Sequence, residues 1–228
     1  MQEILKNSGI EITPYQEEKL NIFKKELITW NDKFNLTSIK SDEEIKIKHF
    51  QDSIIGQKFF LKNANVVEIG SGGGFPSIPL MIMREDLCFT LIESVGKKCE
   101  FLKHVIKELN LNATVINKRA EDIGKDLNFR ESFDVVTARA VARLNTLLEY
   151  TMPLIKTGGL FVAYKGSDKE ELEEAKKAID VLGGKIKEIY NYNLFNGLGE
   201  RNIFVIEKIK PTPNKYPRGN GKERSKPL

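Results

Sequence analysis

From Thr13 onward the chain alternates polar and apolar positions with a helical period: Leu20, Phe23, Leu27 and Trp30 share one face. "TPYQ" supplies the start, with Thr13 as N-cap, Pro14 at the first helical position and Gln16 reaching back. "SDEE" repeats the device with Ser41 and Glu44, and predicts a helix running through Ile45 and His49 toward Ile54. After Asn63 the period changes. Short β-branched or aromatic runs begin at Asn65 ("NVVEI"), Cys88 ("CFTLIE"), Ala113 ("ATVIN"), Phe133 ("FDVVTA"), Leu160 ("LFVAYK"), Lys185 ("KIKEIYNYNL") and Arg201 ("RNIFVIEKI"). Amphipathic segments separate the first six, such as "KKCEFLKHVIKEL" with Phe101, Leu102, Val105, Ile106 and Leu109 on one side. Strand, helix, strand at this rhythm predicts an α/β fold with a mostly parallel, doubly wound, Rossmann-like sheet. The segment "SDKEELEEAKKAIDVLGG" reads as a helix opened by Ser167 and Glu170 and closed at Gly183. Only "FNGLGE" joins the last two strands, too short for a crossover helix, so they are expected to form an antiparallel hairpin at one edge.

With 228 residues, 26.0 kDa and 40% hydrophobic content, the chain has material for one sizeable α/β domain and a small appendage. The expected division is a helical N-terminal extension over 1–62, the α/β domain over 63–210 and a tail over 211–228. The longest apolar run, Ile78 to Met83, is too short to span a bilayer, and "MQEILKNSGI" lacks signal-peptide features, so no membrane association and a cytoplasmic location are expected. Cys88 and Cys99 form no CxxC pair, and His49 and His104 lie near neither each other nor a cysteine cluster, so no metal site is expected and the thiols read as inert. The formal charge of +4 is concentrated. The tail "PTPNKYPRGNGKERSKPL" holds five basic residues and one acid, leaving 31 of each in positions 1–210. Such asymmetry suits a polyanion-binding arm or a solvated terminus.

The densest chemistry is "VVEIGSGGGFPSIPL", Val66 to Leu80. A strand ends at Glu68, then Gly70, Gly72, Gly73 and Gly74 permit close backbone approach to a ligand before a helix N-terminus. A dinucleotide GxGxxG begun at Gly70 would need glycine at 75, where Phe75 stands, and no Lys-Ser or Lys-Thr follows as a phosphate loop requires. The turn and the seven-strand layout resemble class I S-adenosylmethionine-dependent methyltransferases. In that family the acid before the glycines faces the methionine end of the cofactor, and Glu93, ending the second strand in "LIES", becomes the expected acceptor for the ribose hydroxyls. An acid there suits a nicotinamide enzyme equally.

"NDKFNLTS" from Asn31, "HFQDS" from His49, "GSGGGFPSIPL" from Gly70, "RAE" from Arg119, "TARAVA" from Thr137, "YKG" from Tyr164 and "YPRGNGKERSKPL" from Tyr216 together resemble the RsmG (GidB) family of small-subunit ribosomal RNA methyltransferases. The likeness covers nearly the whole chain. It implies methylation of N7 of guanosine 527 in 16S rRNA, naked or in the 30S particle, with S-adenosyl-L-methionine as cofactor. A monomer is expected. It places the cofactor against Glu68, Gly70, Gly72, Gly74, Phe75, Glu93, Ser94, Ala120, Glu121 and Arg139. The family commonly has Asp at Glu68 and Gly at Ser77. Because N7 carries an in-plane lone pair, no general base is required, only in-line positioning. Arg139 suits either the cofactor carboxylate or guanine O6. Lys165 and Arg201 are candidate phosphate contacts, Lys165 equally a solvated lysine. Lys215, Tyr216, Arg218 and Lys222 combine an aromatic surface with cations as RNA contacts require. His49 and Asp52, one helical turn apart, read as a local hydrogen bond fixing the N-terminal helices over the cofactor. The rivals are a methyltransferase for a small molecule or protein, a nicotinamide-dependent oxidoreductase, and a nucleotide-sensing RNA-binding protein without catalysis.

Overall fold

The computed structural model describes residues 1–168 and 170–228. Helix α1 (Gln2–Lys6) precedes α2 (Pro14–Phe34), which begins where the capping residues predict. The Thr13 hydroxyl accepts from the Gln16 amide and Gln16 Oε1 accepts from the Thr13 amide, so two otherwise open donors are satisfied reciprocally. The second predicted helix is broken into three geometries. Ser41 caps α3 (Asp42–Glu44), Ile45–Gln51 winds as a π-helix, and α4 (Asp52–Ile54) leads into a 3-10 turn, Ile55–Phe59. Single apolar-stripe reasoning fails here because His49 to Ser53 are buried on all sides. Gln51 shows why: its amide donates to Ser8 Oγ at 2.9 Å and accepts from the Phe195 amide at 3.0 Å, so chain lies both above and below it.

The sheet follows: β1 (Asn65–Ile69), α5 (Ser77–Met83), β2 (Cys88–Ile92), α6 (Gly96–Glu108), β3 (Ala113–Ile116), α7 (Ala120–Lys125), β4 (Phe133–Arg139), α8 (Leu144–Thr151), β5 (Ile155–Lys165), α9 (Glu170–Val181), β6 (Gly184–Asn193), β7 (Glu200–Lys208) and α10 (Lys222–Ser225). Its order is β3-β2-β1-β4-β5-β7-β6, and only β7 runs against its neighbours. The α/β sheet with an antiparallel edge hairpin is thus the observed architecture. Two details differ from the sequence reading. β5 starts at Ile155 rather than Leu160, because Phe133 pairs with Ile155 across a bulge and carries the ladder past the glycines. At α9, the Glu170 amide donates to Asp168 Oδ1, at 3.0 Å, rather than to Ser167.

Successive strand residues feed two cores, as a sheet covered on both faces demands. Val66, Val135 and Val162 join Phe23, Phe50, Phe75 and Phe101 under the N-terminal helices, α5 and α6. Val67, Val136 and Ala163 join Leu147, Leu148 and Ile179 under α8 and α9. The N-terminal extension therefore closes the first core. Gly56 sits at that seam, where Tyr164 donates its hydroxyl to Ser53 O at 2.8 Å, and a Cβ on Gly56 would overlap that hydroxyl. Gly56→Ala is expected to cost about 1–3 kcal/mol through overpacking, read as a lower urea midpoint with an unchanged slope.

The tail departs from the reading of Tyr216 and Arg218 as an open RNA-stacking arm. Tyr216 is 5% exposed and packs into the second core. Arg218 grips Glu149 of α8 through Nε at 2.9 Å and Nη2 at 2.7 Å, and its amide adds a third bond at 2.7 Å. Glu149 is fully buried, and a carboxylate there needs an internal cation with several donors, which Arg218 supplies. Arg130 ties down the approach by donating to Thr212 O at 2.7 Å and Tyr216 O at 2.9 Å. Lys215, Lys222 and Lys226 remain exposed.

Candidate cofactor and substrate sites

The glycine turn extends β1 beyond its last paired residue: the Gly70 and Ser71 amides donate to Ile92 O at 2.9 and 3.2 Å. Gly70 has φ 71°, and a Cβ there would lie 2.7 Å from Val141 Cγ2. Gly74 has φ 83° and leads into α5, with the Ile78 amide donating to Gly74 O at 2.9 Å. Both positions combine a left-handed backbone with a close neighbour, so a side chain is excluded twice over. Glu93, from the end of β2, locks the turn: its Oε2 accepts from the Gly72 amide at 2.9 Å and its Oε1 from the Val95 amide at 2.8 Å.

Beneath the turn Glu68 is completely buried. Among the described residues neither carboxylate oxygen, nor Ser77 Oγ, has a hydrogen-bond partner. Burial pushes the Glu68 carboxyl up to about 8, against weaker downward pulls that include the Arg139 charge; Ser77 Oγ stands close to the carboxyl but out of hydrogen-bond geometry. An unpartnered buried carboxyl beside a glycine turn fits a ligand bearing an ammonium, since such a group satisfies the oxygens and holds them ionised.

Two cavities open at the ends of the strands, one of them at the turn. One of about 90 Å³ is lined by Gly70, Ser94, Ala120, Glu121, Tyr150 and Arg224. The other, about 510 Å³, is lined by Lys48, His49, Asp52, Arg139, Lys165 and Arg201. Between them runs the segment after β4, where Ala140 has φ 56° and lines the larger cavity while Val141 lines the smaller.

Arg139 organises the larger cavity. Its Nη1 donates to Asp52 Oδ2 at 2.7 Å and Lys48 O at 3.1 Å, its Nη2 lies 3.0 Å from His49 Nδ1, and its Cζ is 5.0 Å from the Phe75 ring centre. His49 stacks on Phe75 at 4.2 Å. Burial, then the Arg139 charge, bring the imidazole down to about 3, so it is neutral. Nδ1 must accept from Arg139, which leaves Nε2–H to donate to Thr37 Oγ1 at 2.8 Å. The Thr37 amide in turn donates to Asn31 Oδ1 at 2.8 Å, which explains "NDKFNLTS" as a scaffold. His49 and Asp52 do fix the extension to the sheet, but by sharing Arg139 rather than by bonding each other. Asp52 Oδ1 also accepts from Tyr192 at 2.8 Å, and Arg201 Nε stands 3.7 Å away.

The expected residues therefore fall into three groups. Glu68, Gly70, Gly72, Gly74, Glu93, Ser94, Ala120 and Glu121 converge on the turn and the smaller cavity, and Phe75 backs Arg139. Lys165 and Arg201 border the larger cavity, where Lys165 donates at 2.6 Å to both Glu171 Oε1 and Ala142 O. Lys215, Tyr216, Arg218 and Lys222 lie on the tail, two of them turned inward as described. Sequence reasoning missed Lys48, Tyr150, Tyr192 and Arg224. Arg224 had a signal, as one of the five tail cations, but its partner cavity did not.

A parallel sheet in this order, closed by one reversed strand and carrying a glycine turn answered by an acid on the next strand, defines the class I S-adenosylmethionine-dependent methyltransferase fold. Solved structures agree: a putative O-methyltransferase from Klebsiella pneumoniae superposes with a TM-score of 0.60 at 13% identity over 92% of this chain and 96% of its own. A SAM-dependent methyltransferase from Aquifex aeolicus gives 0.57 at 15% identity over 76% and 97%. The sequence is more specific. Residues 16–198 match the family model for rRNA small subunit methyltransferase G, and the protein called ribosomal RNA small subunit methyltransferase G in Brevibacillus brevis is 47% identical over 99% of this chain and 97% of its own. The chain belongs to the rRNA small subunit methyltransferase G family.

Proposed function

We propose that the protein transfers a methyl group from S-adenosylmethionine to N7 of guanosine 527 in 16S rRNA. The observation that carries this reading is the cavity of about 510 Å³ rimmed by Lys48, Arg139, Lys165 and Arg201 at the ends of β4 and β5, a cationic recess suited to a nucleotide. Family membership selects the substrate class. When bound, S-adenosylmethionine supplies a sulfonium methyl to a nucleophile.

Glu68 and Ser77 receive the amino-acid end, Glu93 retains lone pairs for ribose hydroxyls beyond its two amide bonds, and Ala120 and Glu121 border the adenosine end. Arg139 has three protein acceptors and holds the cavity wall rigid. His49 is neutral with both nitrogens engaged, and Asp52 is held by Arg139 and Tyr192, so neither is free to take a proton. None is needed, because N7 attacks with an in-plane lone pair. The chain's contribution is alignment and exclusion of water. Exposed Lys215 and Lys222 add phosphate attraction at the surface. The reaction is read by incubating the protein with labelled cofactor and 30S particles lacking the mark, then mapping 7-methylguanosine by mass spectrometry. Label at position 527 is expected; label at any other base overturns the assignment.

A further inference from the structure

The tail's charge has one destination that RNA contact does not explain. Arg224, on the last helix α10, lines the same small cavity as Gly70, Ser94, Ala120 and Glu121. Its position is built rather than incidental. Glu149 fixes Arg218, Thr146 Oγ1 donates to Glu223 O at 2.9 Å, the Glu223 carboxylate accepts from the Gly219 amide, and the Arg224 amide donates to Gly221 O at 3.2 Å. These bonds hold α10 against α8 while the Arg224 side chain stays exposed. Tyr150 lines the same cavity, and burial pushes its hydroxyl up while the nearby Arg224 charge draws it back down. Ile69, Ile92 and Ala120 make the cavity walls apolar, and Ser94, Glu121, Tyr150 and Arg224 make its rim polar. Apolar sides with a polar edge are what a flat heteroaromatic ring carrying an exocyclic amine requires, and a guanidinium at the mouth adds a planar cation to stack on it.

We infer that Arg224 closes the adenosine end of the cofactor site, so that the C-terminal tail is a cofactor-binding element as well as a basic surface. This rests on the cofactor occupying the glycine turn. Covering one face of the purine also shields it from water, and the same short helix carries exposed Lys222, so an RNA drawn to that lysine would press the closing residue onto the cofactor.

The test is calorimetric titration of the full chain with S-adenosylhomocysteine and, separately, with adenosine. Arg224→Ala should weaken both about tenfold, the scale of one planar cation contact, while Lys226→Ala, which removes an equal charge from the same tail, should change neither. Affinity within twofold of the parent protein for either ligand overturns the inference. So does an equal loss in Lys226→Ala, which would assign the effect to diffuse charge and an RNA-only tail. If the parent protein itself fails to bind S-adenosylhomocysteine, the cofactor reading falls instead.

Discussion

Arg139→Ala is expected to lower the unfolding free energy by about 3–5 kcal/mol and to abolish methyl transfer. Asp52 is nearly inaccessible, and among the described residues Arg139 Nη1 at 2.7 Å is its close cation, with Arg201 more distant at 3.7 Å. Removing one partner of a buried pair leaves an uncompensated charge, which accounts for the magnitude. The same guanidinium serves Lys48 O and His49 Nδ1, so its loss also orphans two acceptors and releases the π-helical segment from β4. Arg139→Lys should recover only part of the stability, because one ammonium cannot reach three acceptors in the plane that the guanidinium spans. Urea denaturation of Arg139→Ala, Asp52→Ala and the double variant checks the account. The pair should show a coupling above about 1 kcal/mol, and a single-variant loss below that value would contradict it.

Glu68→Gln is expected to weaken S-adenosylhomocysteine binding about 100-fold at pH 8 and to flatten its pH dependence. The buried carboxyl rises from an ordinary 4.5 to about 8. Without a ligand, the protonated acid contributes stability that is full below about pH 4.5. That contribution is lost as pH climbs toward 8, by at most about 1.4 kcal/mol per unit. A ligand ammonium reverses the preference, because it favours the ionised form. Binding therefore releases a proton below about pH 8, and affinity should rise up to tenfold per unit between pH 6 and 8 before levelling. The amide of Gln accepts from the ammonium without charge, which accounts for a loss of about 2.7 kcal/mol at pH 8. Titrations in buffers of different ionisation enthalpy count the released proton directly. An identical pH slope in Glu68→Gln would remove Glu68 from the account.

The inner strands were readable because they bury both faces, so their apolar runs stand out between amphipathic helices. Thr13 and Gln16 marked the start of α2 by their own local chemistry. The tail was misjudged for the opposite reason. Arg218 finds Glu149 at 69 positions' distance, and a charge count sees a cation without its buried partner. Arg139 lies 91 positions from Lys48, so its strand-end location was legible but its direction toward the extension was not. Asp52 and His49 looked like a pair because helical spacing brings them together; the third member came from another element. Ile45–Gln51 escaped because a π turn has no period that an apolar stripe announces.

The reversal of β7 decides where the hairpin tip stands. Lys165 at the end of β5 pairs with Asn202 near the start of β7, so the hairpin tip is delivered to the same rim as the glycine turn. Had β7 run parallel, Lys208 would stand there and Arg201 would lie at the far end of the sheet. Instead the tip, held by Asn196 on Glu43 and by Phe195 on Gln51, forms a jaw over the N-terminal helices that is built apart from the glycine turn. The hairpin tip and the glycine turn thus come from separate pieces of chain, one from the last two strands and the other from the first.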